Sequence, residues 1–225
     1  MNWTPILQDG FEGTFEDYQG IGELTVPKGW RPVWTQGTEP GKDHRPECDR
    51  EVIRVRSGSA AAKMFSTHAS HTGALARRVQ VQAGTLVRAV AHGATFGIEA
   101  GHGLVLGIDP EGGLDPEAEG IEWSSWWGQY NKKDAPPYNW EPEKYHEFSV
   151  AAQAPSDFVT VFLYSHSDYA ASTVAAYWDD VLVEQEGDTP GPDPEPTGDL
   201  IGVLEEIRDV LIEIKVAIQS VAIRL

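Results

Sequence analysis

The sequence predicts an all-β protein, a β-sandwich, followed by a linker and a C-terminal α-helix. Up to about residue 185, short runs alternate between apolar and polar residues, and Gly, Pro and Asp separate them without helical periodicity. Residues 186–199 then contain four prolines and offer no apolar side chain to a core. From residue 200 onward, apolar residues recur at helical spacing. The chain therefore divides into residues 1–185, 186–199 and 200–225.

Seven to nine strands are expected in the first segment, because many short strands separated by turn residues are typical of a sandwich. In "DFVTVFLYS", alternation places Val159, Val161 and Leu163 on one face and Phe162 and Tyr164 on the other. The expected strand segments are "EVIRVRSG", "ALARRVQVQAGTLVRAVAHGATF", "GLVLGI", "YHEFSVAAQ", "DFVTVFLYSHS" and "STVAAYWDDVLVEQ".

The linker, "EGDTPGPDPEPTGD", has the composition of a stiff segment near polyproline II. The helix that follows carries a heptad seam with mostly Leu at the a position and with Ile at two of the four d positions, which favours a trimer or a larger assembly. The helix is too short and too apolar to be stable alone in water. It packs on copies of itself, on its own domain, or on a partner such as a capsid or tail protein. The seam consists of Leu200, Leu204, Ile207, Leu211, Ile214, Ile218, Val221 and Leu225.

Charge and composition exclude several classes of function. A net charge of −18 argues against nucleic acid and anionic membrane as partners, since both require a basic surface. No run of 18 uncharged apolar residues predicts a membrane span, and no secretory signal is expected. Cys48 has no second cysteine to pair with and is expected to be a half-buried thiol. Because no nucleophile, metal or phosphate-binding motif stands out, we expect no enzymatic activity.

The stretch "EWSSWWGQY" contains three tryptophans within five residues. Trp123 is expected at the end of a buried strand, and alternation would turn Trp123 and Trp127 to one side and Trp126 to the other. The cluster has three interpretations: core packing, a platform on which a sugar stacks, or a contact with another protein. On the second interpretation, the candidate glycan-binding residues are Trp126, Trp127, Tyr130, Gln129, Asn131 and Asp134.

Two acidic features predict a structural calcium site. Glu12 lies near the first strand, whereas Asp179 lies in the last one. In a sandwich these strands often run side by side, so the carboxylates would meet and would repel each other unless a cation bridged them. Calcium, which binds six to eight oxygen ligands, is the expected cation. In the alternative interpretation, these carboxylates cap turns or face water.

Several motifs together resemble carbohydrate-binding modules of the galactose-binding-like, jelly-roll type. They are "LQDGFEG", "GELTVPKGWRPVW", "HRPE", "SGSAAAKMF", "GALARRVQVQAGTLVRA" and the closing "AAYWDDVLVE". The resemblance implies a jelly-roll sandwich over residues 1 to about 185. It also implies glycan binding on exposed aromatic rings and a structural calcium held by Glu12 and Asp179. No family binding residue can be matched to any one tryptophan.

The arrangement of the chain departs from these modules, which usually belong to long secreted enzymes. Here the module is followed by a linker and an oligomerising helix, which resembles an accessory protein on a phage particle: a head decoration, a head fibre or a tail component. The resulting hypothesis is a multimeric, non-catalytic glycan-binding module on a virion surface, directed at cell-surface glycans. The alternative is a purely structural decoration protein whose helix docks into a shell or tail protein. The sequence leaves the sugar and the number of chains open.

Overall fold

The computed structural model describes residues 2–34, 45–96, 102–128, 144–167 and 173–187. The predicted C-terminal helix and all but the first two residues of the predicted linker lie outside these ranges. The described residues form fourteen strands and one short 3-10 turn, so the expected count of seven to nine strands is too low. No helix among them has the length and apolar character needed to cross a membrane.

The strands vary widely in length, and the last one extends one residue into the predicted linker. They are β1 (Trp3–Asp9), β2 (Phe15–Asp17), β3 (Thr25–Pro27), β4 (Arg31–Trp34), β5 (Glu47–Glu51), β6 (Ala61–Ser66), β7 (His71–Gln80), β8 (Leu86–Phe96), β9 (His102–Asp109), β10 (Glu122–Trp123), β11 (Trp127–Gly128), β12 (His146–Gln153), β13 (Phe158–Ser167) and β14 (Val174–Glu186).

Two six-stranded antiparallel sheets make up most of the fold, and β2 and β3 pair in a separate two-stranded sheet. Sheet I has the order β12-β8-β14-β6-β5, and β1 pairs with the second half of β14. Sheet II has the order β10-β9-β13-β7-β4, with β11 also paired to β9. From β6 to β9 and from β12 to β14, successive strands alternate between the two sheets, and the main core lies between them. The predicted β-sandwich is therefore confirmed.

Large side chains from both sheets fill the space between them. Trp178 and Phe148 of sheet I contact each other with ring centroids 5.2 Å apart, and both are buried. Val161 and Leu163 of sheet II are fully buried in the same cluster, as the alternation in β13 predicts. Removing this apolar surface from water is the main stabilising contribution to the fold. Cys48 is buried rather than half-buried, and burial raises the pKa of its thiol to about 12.

One predicted strand is wrong. Only the first residue of "EVIRVRSG" belongs to a strand, because β5 ends at Glu51. The Glu51 carboxylate accepts hydrogen bonds from the backbone N–H groups of Val52, Ile53 and Arg54, at 3.0, 2.7 and 3.2 Å. Amides that bond to this carboxylate do not join a strand ladder. The turn leaves Val52 and Ile53 61% and 83% exposed.

Candidate functional site

The tryptophan-rich stretch lies along the edge of sheet II, where β10 and β11 both pair with β9. Trp123 is opposite Gly107, and Trp127 is opposite Leu104. From Trp123 to Trp127 the chain advances by four residues, whereas the paired part of β9 spans only three. The tryptophan stretch therefore contains one extra residue relative to β9, as in a β-bulge. The extra residue reverses the expected alternation: Trp123 and Trp126 lie on the same side, and Trp127 lies on the other. The prediction that Trp123 and Trp127 lie on the same side of the strand is wrong.

Trp123 and Trp126 belong to a cluster on the outer face of sheet II, which we call the outer aromatic face. Its four members are Trp123, Trp126, Phe162 and Tyr164. The Trp123 ring lies 5.4 Å from the Tyr164 ring and 6.2 Å from the Phe162 ring, and the Trp126 ring meets Tyr164 edge-on at 5.8 Å. Phe162 is buried, whereas the other three rings are half-buried. Three aromatic rings thus remain partly open to solvent on one surface.

Small residues beneath the outer aromatic face allow the rings to lie close to the sheet. A Cβ atom at Gly107 would come within 2.4 Å of the Trp123 ring. On β7, the buried Ala74 and Ala76 pack in the same cluster as Phe162. Gly107 on β9 and the two alanines on β7 therefore form a flat surface of small residues beneath the aromatic rings. Trp123 packs directly on this surface. Val33, Leu114 and Ile121 pack around the cluster.

A polar pair adjoins this face on the same strands. Thr72 Oγ1 and His166 Nδ1 are 3.1 Å apart and directly opposite each other on β7 and β13. Both side chains are half-buried. The alternation that places Phe162 and Tyr164 on the outer face extends to His166, so the sequence contained this signal, although our predicted site did not include it. The pair supplies hydroxyl and imidazole groups next to the aromatic rings.

Trp127 lies on the inner side of sheet II and packs against the main core. Its ring stacks on His146, with centroids 4.0 Å apart and planes within 3° of parallel. His146 in turn meets Phe148 edge-on at 4.9 Å, and burial lowers the pKa of the His146 imidazole. The Trp127 indole N–H is buried without a hydrogen-bond partner among the described residues. This environment is that of a core residue.

The remaining candidate glycan-binding residues follow directly after β11. Gln129, Tyr130, Asn131 and Asp134 all lie outside the described residues. Of the six candidates, the structure therefore places only Trp126 and Trp127, and it places them on opposite sides of sheet II.

Glu12 and Asp179 bind the same loop, residues 56–60. Glu12 accepts hydrogen bonds from the Ser59 backbone N–H at 2.8 Å and from its hydroxyl at 2.6 Å, and these bonds lower the Glu12 pKa. Asp179 accepts the backbone N–H groups of Arg56 and Ser57 at 2.9 and 3.2 Å. Burial raises the pKa of the Asp179 carboxyl. The two carboxylates thus fasten both ends of this loop.

The first and last strands do run side by side, since β1 pairs with the second half of β14. Asp180 adds a third carboxylate, which accepts the Ser57 hydroxyl at 2.7 Å and pairs with Arg56. Within the described ranges, no group of three or more histidine, cysteine or acidic side chains is gathered closely enough to hold a metal ion by itself. A cation here would therefore also need backbone carbonyl oxygens or water.

Comparisons with known proteins give similar folds and no family. No protein-family model matches the sequence, and no curated protein matches it significantly. The structure is similar to that of TmCBM61 in complex with β-1,4-galactotriose, at 13% identity and a TM-score of 0.45, covering 71% of this chain and 90% of that chain.

Two further structures are similar to the same extent. The CBM22-1 xylan-binding domain of Xyn10C from Paenibacillus barcinonensis matches at 12% identity and a TM-score of 0.46, covering 82% of this chain and 96% of that chain. The K3 cleaved adhesin domain of Lys-gingipain from Porphyromonas gingivalis matches at 12% identity and a TM-score of 0.46, covering 81% and 99%. Similarity of this size carries no information about a ligand.

Proposed function

We propose that the protein is a non-catalytic glycan-binding module whose ligand lies on the outer aromatic face of sheet II. The observation that carries this proposal is the group of three partly exposed rings, Trp123, Trp126 and Tyr164, beside the polar pair of Thr72 and His166. Aromatic faces suit the apolar C–H face of a sugar ring, and neighbouring polar groups suit its hydroxyls.

Within the original set of candidates, this proposal favours Trp126 over Trp127. Trp126 shares a surface with Tyr164, whereas Trp127 stacks on His146 and packs against the main core. The other four candidates follow Trp126 closely in the sequence, after Gly128 ends β11. Gln129, Tyr130, Asn131 and Asp134 therefore remain proposed contributors.

Substitution of Trp126 by Ala tests the proposal. We expect Trp126→Ala to lose at least about tenfold in affinity, or ~1.4 kcal/mol, on a glycan array followed by calorimetry. Trp3→Ala is the matched control, because Trp3 is also half-buried but lies on β1 of sheet I, beneath the Arg88 guanidinium. If the intact protein binds no glycan, or if both variants lose affinity equally, the outer aromatic face is not a glycan site.

The alternative function is structural: the same apolar rings would pack against a neighbouring protein. The observation that favours it is the partial burial of Trp123 and Trp126 and the aliphatic surroundings of Val33 and Leu114. In that case, Trp126→Ala would weaken assembly on the particle without any effect on glycans.

We further propose that the C-terminal seam joins three or more chains, so that weak binding sites gain avidity from their effective concentration. Leu211→Asp and Ile218→Asp place charges in the seam, and either should convert the assembly to monomers in sedimentation experiments. A multimer that survives both substitutions would contradict the seam. Placement on a phage surface rests on the arrangement of module, linker and helix, and mass spectrometry of purified particles tests it.

Calcium at Glu12 and Asp179 remains a proposal. The Asp179 carboxylate is fully buried, and a cation beside it would offset the cost of burying its charge. At a calcium concentration 100 times Kd, binding would stabilise the fold by about 2.7 kcal/mol and raise Tm by about 5–10 °C. Glu12→Gln should abolish that rise, whereas Glu119→Gln, at an exposed loop position, should not. The same Tm in calcium and in EDTA would rule out the calcium site.

A further inference from the structure

A chain of hydrogen bonds runs through the buried end of the sandwich and links two histidines. Ser66 Oγ lies 2.8 Å from His71 Nδ1, and Ser165 Oγ lies 2.8 Å from His71 Nε2 and 3.3 Å from His102 Nε2. The two imidazole rings are 5.9 Å apart. Both histidines and both serines are buried, and none of them belongs to the proposed glycan site.

The direction of each bond follows from its partners. The Ser66 hydroxyl donates to the Ala69 carbonyl at 2.7 Å, so Ser66 accepts from His71 Nδ1–H. His71 Nε2 then accepts from the Ser165 hydroxyl, and Ser165 accepts from His102 Nε2–H. Both imidazoles are neutral in this arrangement. The chain ends at His102 Nδ1, an acceptor that has no hydrogen-bond partner among the described residues.

In this arrangement an added proton binds at His102 Nδ1, where it would create a buried cation without a hydrogen-bond acceptor among the described residues. Burial lowers the His102 pKa well below its ordinary value, and the nearby His71 and His166 lower it further. Burial lowers the pKa of His146, on β12, and the neighbouring Glu147 raises it. The His71 and His166 imidazoles carry no negative charge that could offset a proton on His102.

Two buried side chains of sheet I at this end, within the described ranges, are the uncharged Ser66 and Thr95. Ser66, on β6, is already part of the chain. Thr95 is buried on β8, two residues beyond Gly93, which lies against Leu104. The Thr95 hydroxyl has no partner among the described residues either. Sheet I therefore offers no carboxylate through these positions to stabilise a protonated His102.

The first residues of β9 also hold the tryptophan stretch in place. The only pairings of β11 within the described ranges are Trp127 with Leu104 and Gly128 with Gly103, directly after His102. A Cβ atom at Gly128 would lie 2.5 Å from the His102 carbonyl oxygen, so the two backbones are in close contact. Any displacement of His102 is therefore transmitted to β11 and to the neighbouring Trp126.

We propose that this Ser66–His71–Ser165–His102 chain is an acid-sensitive switch: protonation of His102 releases β11 from β9 and thereby loosens the outer aromatic face. The effect on ligand affinity rests on the proposed glycan-binding function, whereas the release of β11 does not. A module with such a switch binds its ligand near neutral pH and releases it at acidic pH.

The direction in which pH changes the folding stability follows from proton linkage. Because the folded-state pKa of His102 lies below its unfolded value of about 6.5, the stability that depends on neutral His102 is fully present above pH ~6.5 and is lost as the pH falls. The folding equilibrium constant decreases about tenfold for each pH unit below that value, or about 30-fold at pH 5.0. For a domain of this size, the corresponding fall in Tm is about 4–8 °C.

The experiment compares thermal melts of the full chain at pH 7.5 and pH 5.0. His102→Gln cannot be protonated and keeps a donor for Ser165, so its Tm should fall by about 4–8 °C less than that of the wild type. His68→Asn is the matched control, since His68 is exposed and has φ of 54°, a backbone conformation that Asn tolerates. Its melting should follow the wild type at both pH values. Equal acid sensitivity of the wild type and His102→Gln would overturn the switch.

Nuclear magnetic resonance tests the same point in the unmodified chain, even if His102→Gln does not fold. Nitrogen-15 imidazole spectra should show His102 protonated only at Nε2 at pH 7.5. The backbone amide signals of Trp127 and Gly128 should broaden at pH 5.0 before those of the core strand β13. A His102 imidazole that is already charged at pH 7.5, or a β11 that remains ordered at pH 5.0, would contradict the proposal.

Glycan affinity at the two pH values then tests the link to function. We expect the wild type to lose at least about threefold more affinity between pH 7.5 and 5.0 than His102→Gln, or ~0.65 kcal/mol. If affinity is independent of pH although β11 is released, the link to the outer aromatic face is wrong. If no glycan binds at either pH, the proposed function fails, and the melts and spectra still decide whether the switch exists.

Discussion

The two faces of sheet II are both apolar, yet they are covered in different ways. The inner face of β13, with Val161 and Leu163, is closed by the whole of sheet I. The outer face of the same strand, with Phe162 and Tyr164, packs among the described residues against Val33 and the segment that leads into β10 and β11. A cover as short as that segment leaves part of an aromatic surface open. The difference teaches that the candidate site is the partly exposed part of a second, smaller apolar cluster on the outer face of sheet II.

Trp178→Ala should have the largest effect, and only on the inner side. Trp178 is fully buried and contacts Phe148, so truncation removes a large side chain and leaves a cavity between the sheets. We expect the free energy of unfolding in urea to fall by about 3–5 kcal/mol. Glycan affinity of the molecules that remain folded should not change.

The matched control for this experiment is Trp178→Phe. It keeps an aromatic ring against Phe148 and removes an indole N–H that has no hydrogen-bond partner among the described residues. Its loss of stability should be clearly smaller than that of the Ala variant. A loss of glycan affinity in folded Trp178→Ala protein would mean that the two faces are not independent.

Trp127→Ala comes next and tests the two adjacent tryptophans against each other. Trp127 stacks on His146 and packs on the main core, so its removal should lower the free energy of unfolding by about 2–3 kcal/mol. Trp126→Ala should cost about 1 kcal/mol or less, because Trp126 meets the Tyr164 ring edge-on at the partly exposed outer aromatic face. If urea denaturation gives the opposite order, the assignment of the two residues to opposite faces is wrong.

Gly107→Ala should have a smaller effect than Trp127→Ala, and one confined to the outer face. The new Cβ would lie 2.4 Å from the Trp123 ring, which must move away from β9. We expect a loss of about 1–2 kcal/mol in stability, with a change in the near-ultraviolet circular dichroism of the tryptophans. Gly13→Ala is the control, because no atom lies within 4 Å of a Cβ there. An unchanged spectrum in Gly107→Ala would contradict the close contact.

The alternation of apolar and polar residues predicted the long strands well. β7, β8, β9, β12, β13 and β14 all occur where apolar and β-branched residues alternate or cluster, and the two faces of β13 are as expected. The same reasoning failed at "EVIRVRSG", where apolar and polar residues alternate from Ile53 to Arg56. A single buried carboxylate, Glu51, takes the amides of the next three residues, and no periodicity reports that competition.

The tryptophan stretch shows why a candidate site is harder to predict than a strand. Which way Trp126 and Trp127 face depends on one extra residue relative to β9, and that register is set by pairing with a strand about 20 positions earlier. The histidine chain depends on contacts between residues as far apart as His71 and Ser165. Neither feature has a local signature.

The sequence by itself determined the fold class, the antiparallel sandwich, and the division of β13 into an inner and an outer face, because these depend on the period of side chains along a strand. It also determined that aromatic rings would concentrate near Trp123. Only the tertiary structure decided which rings remain open, that Glu12 and Asp179 fasten one loop, and that His71 and His102 share Ser165. These depend on register and on packing between distant strands, where a shift of one residue exchanges the buried face for the exposed one.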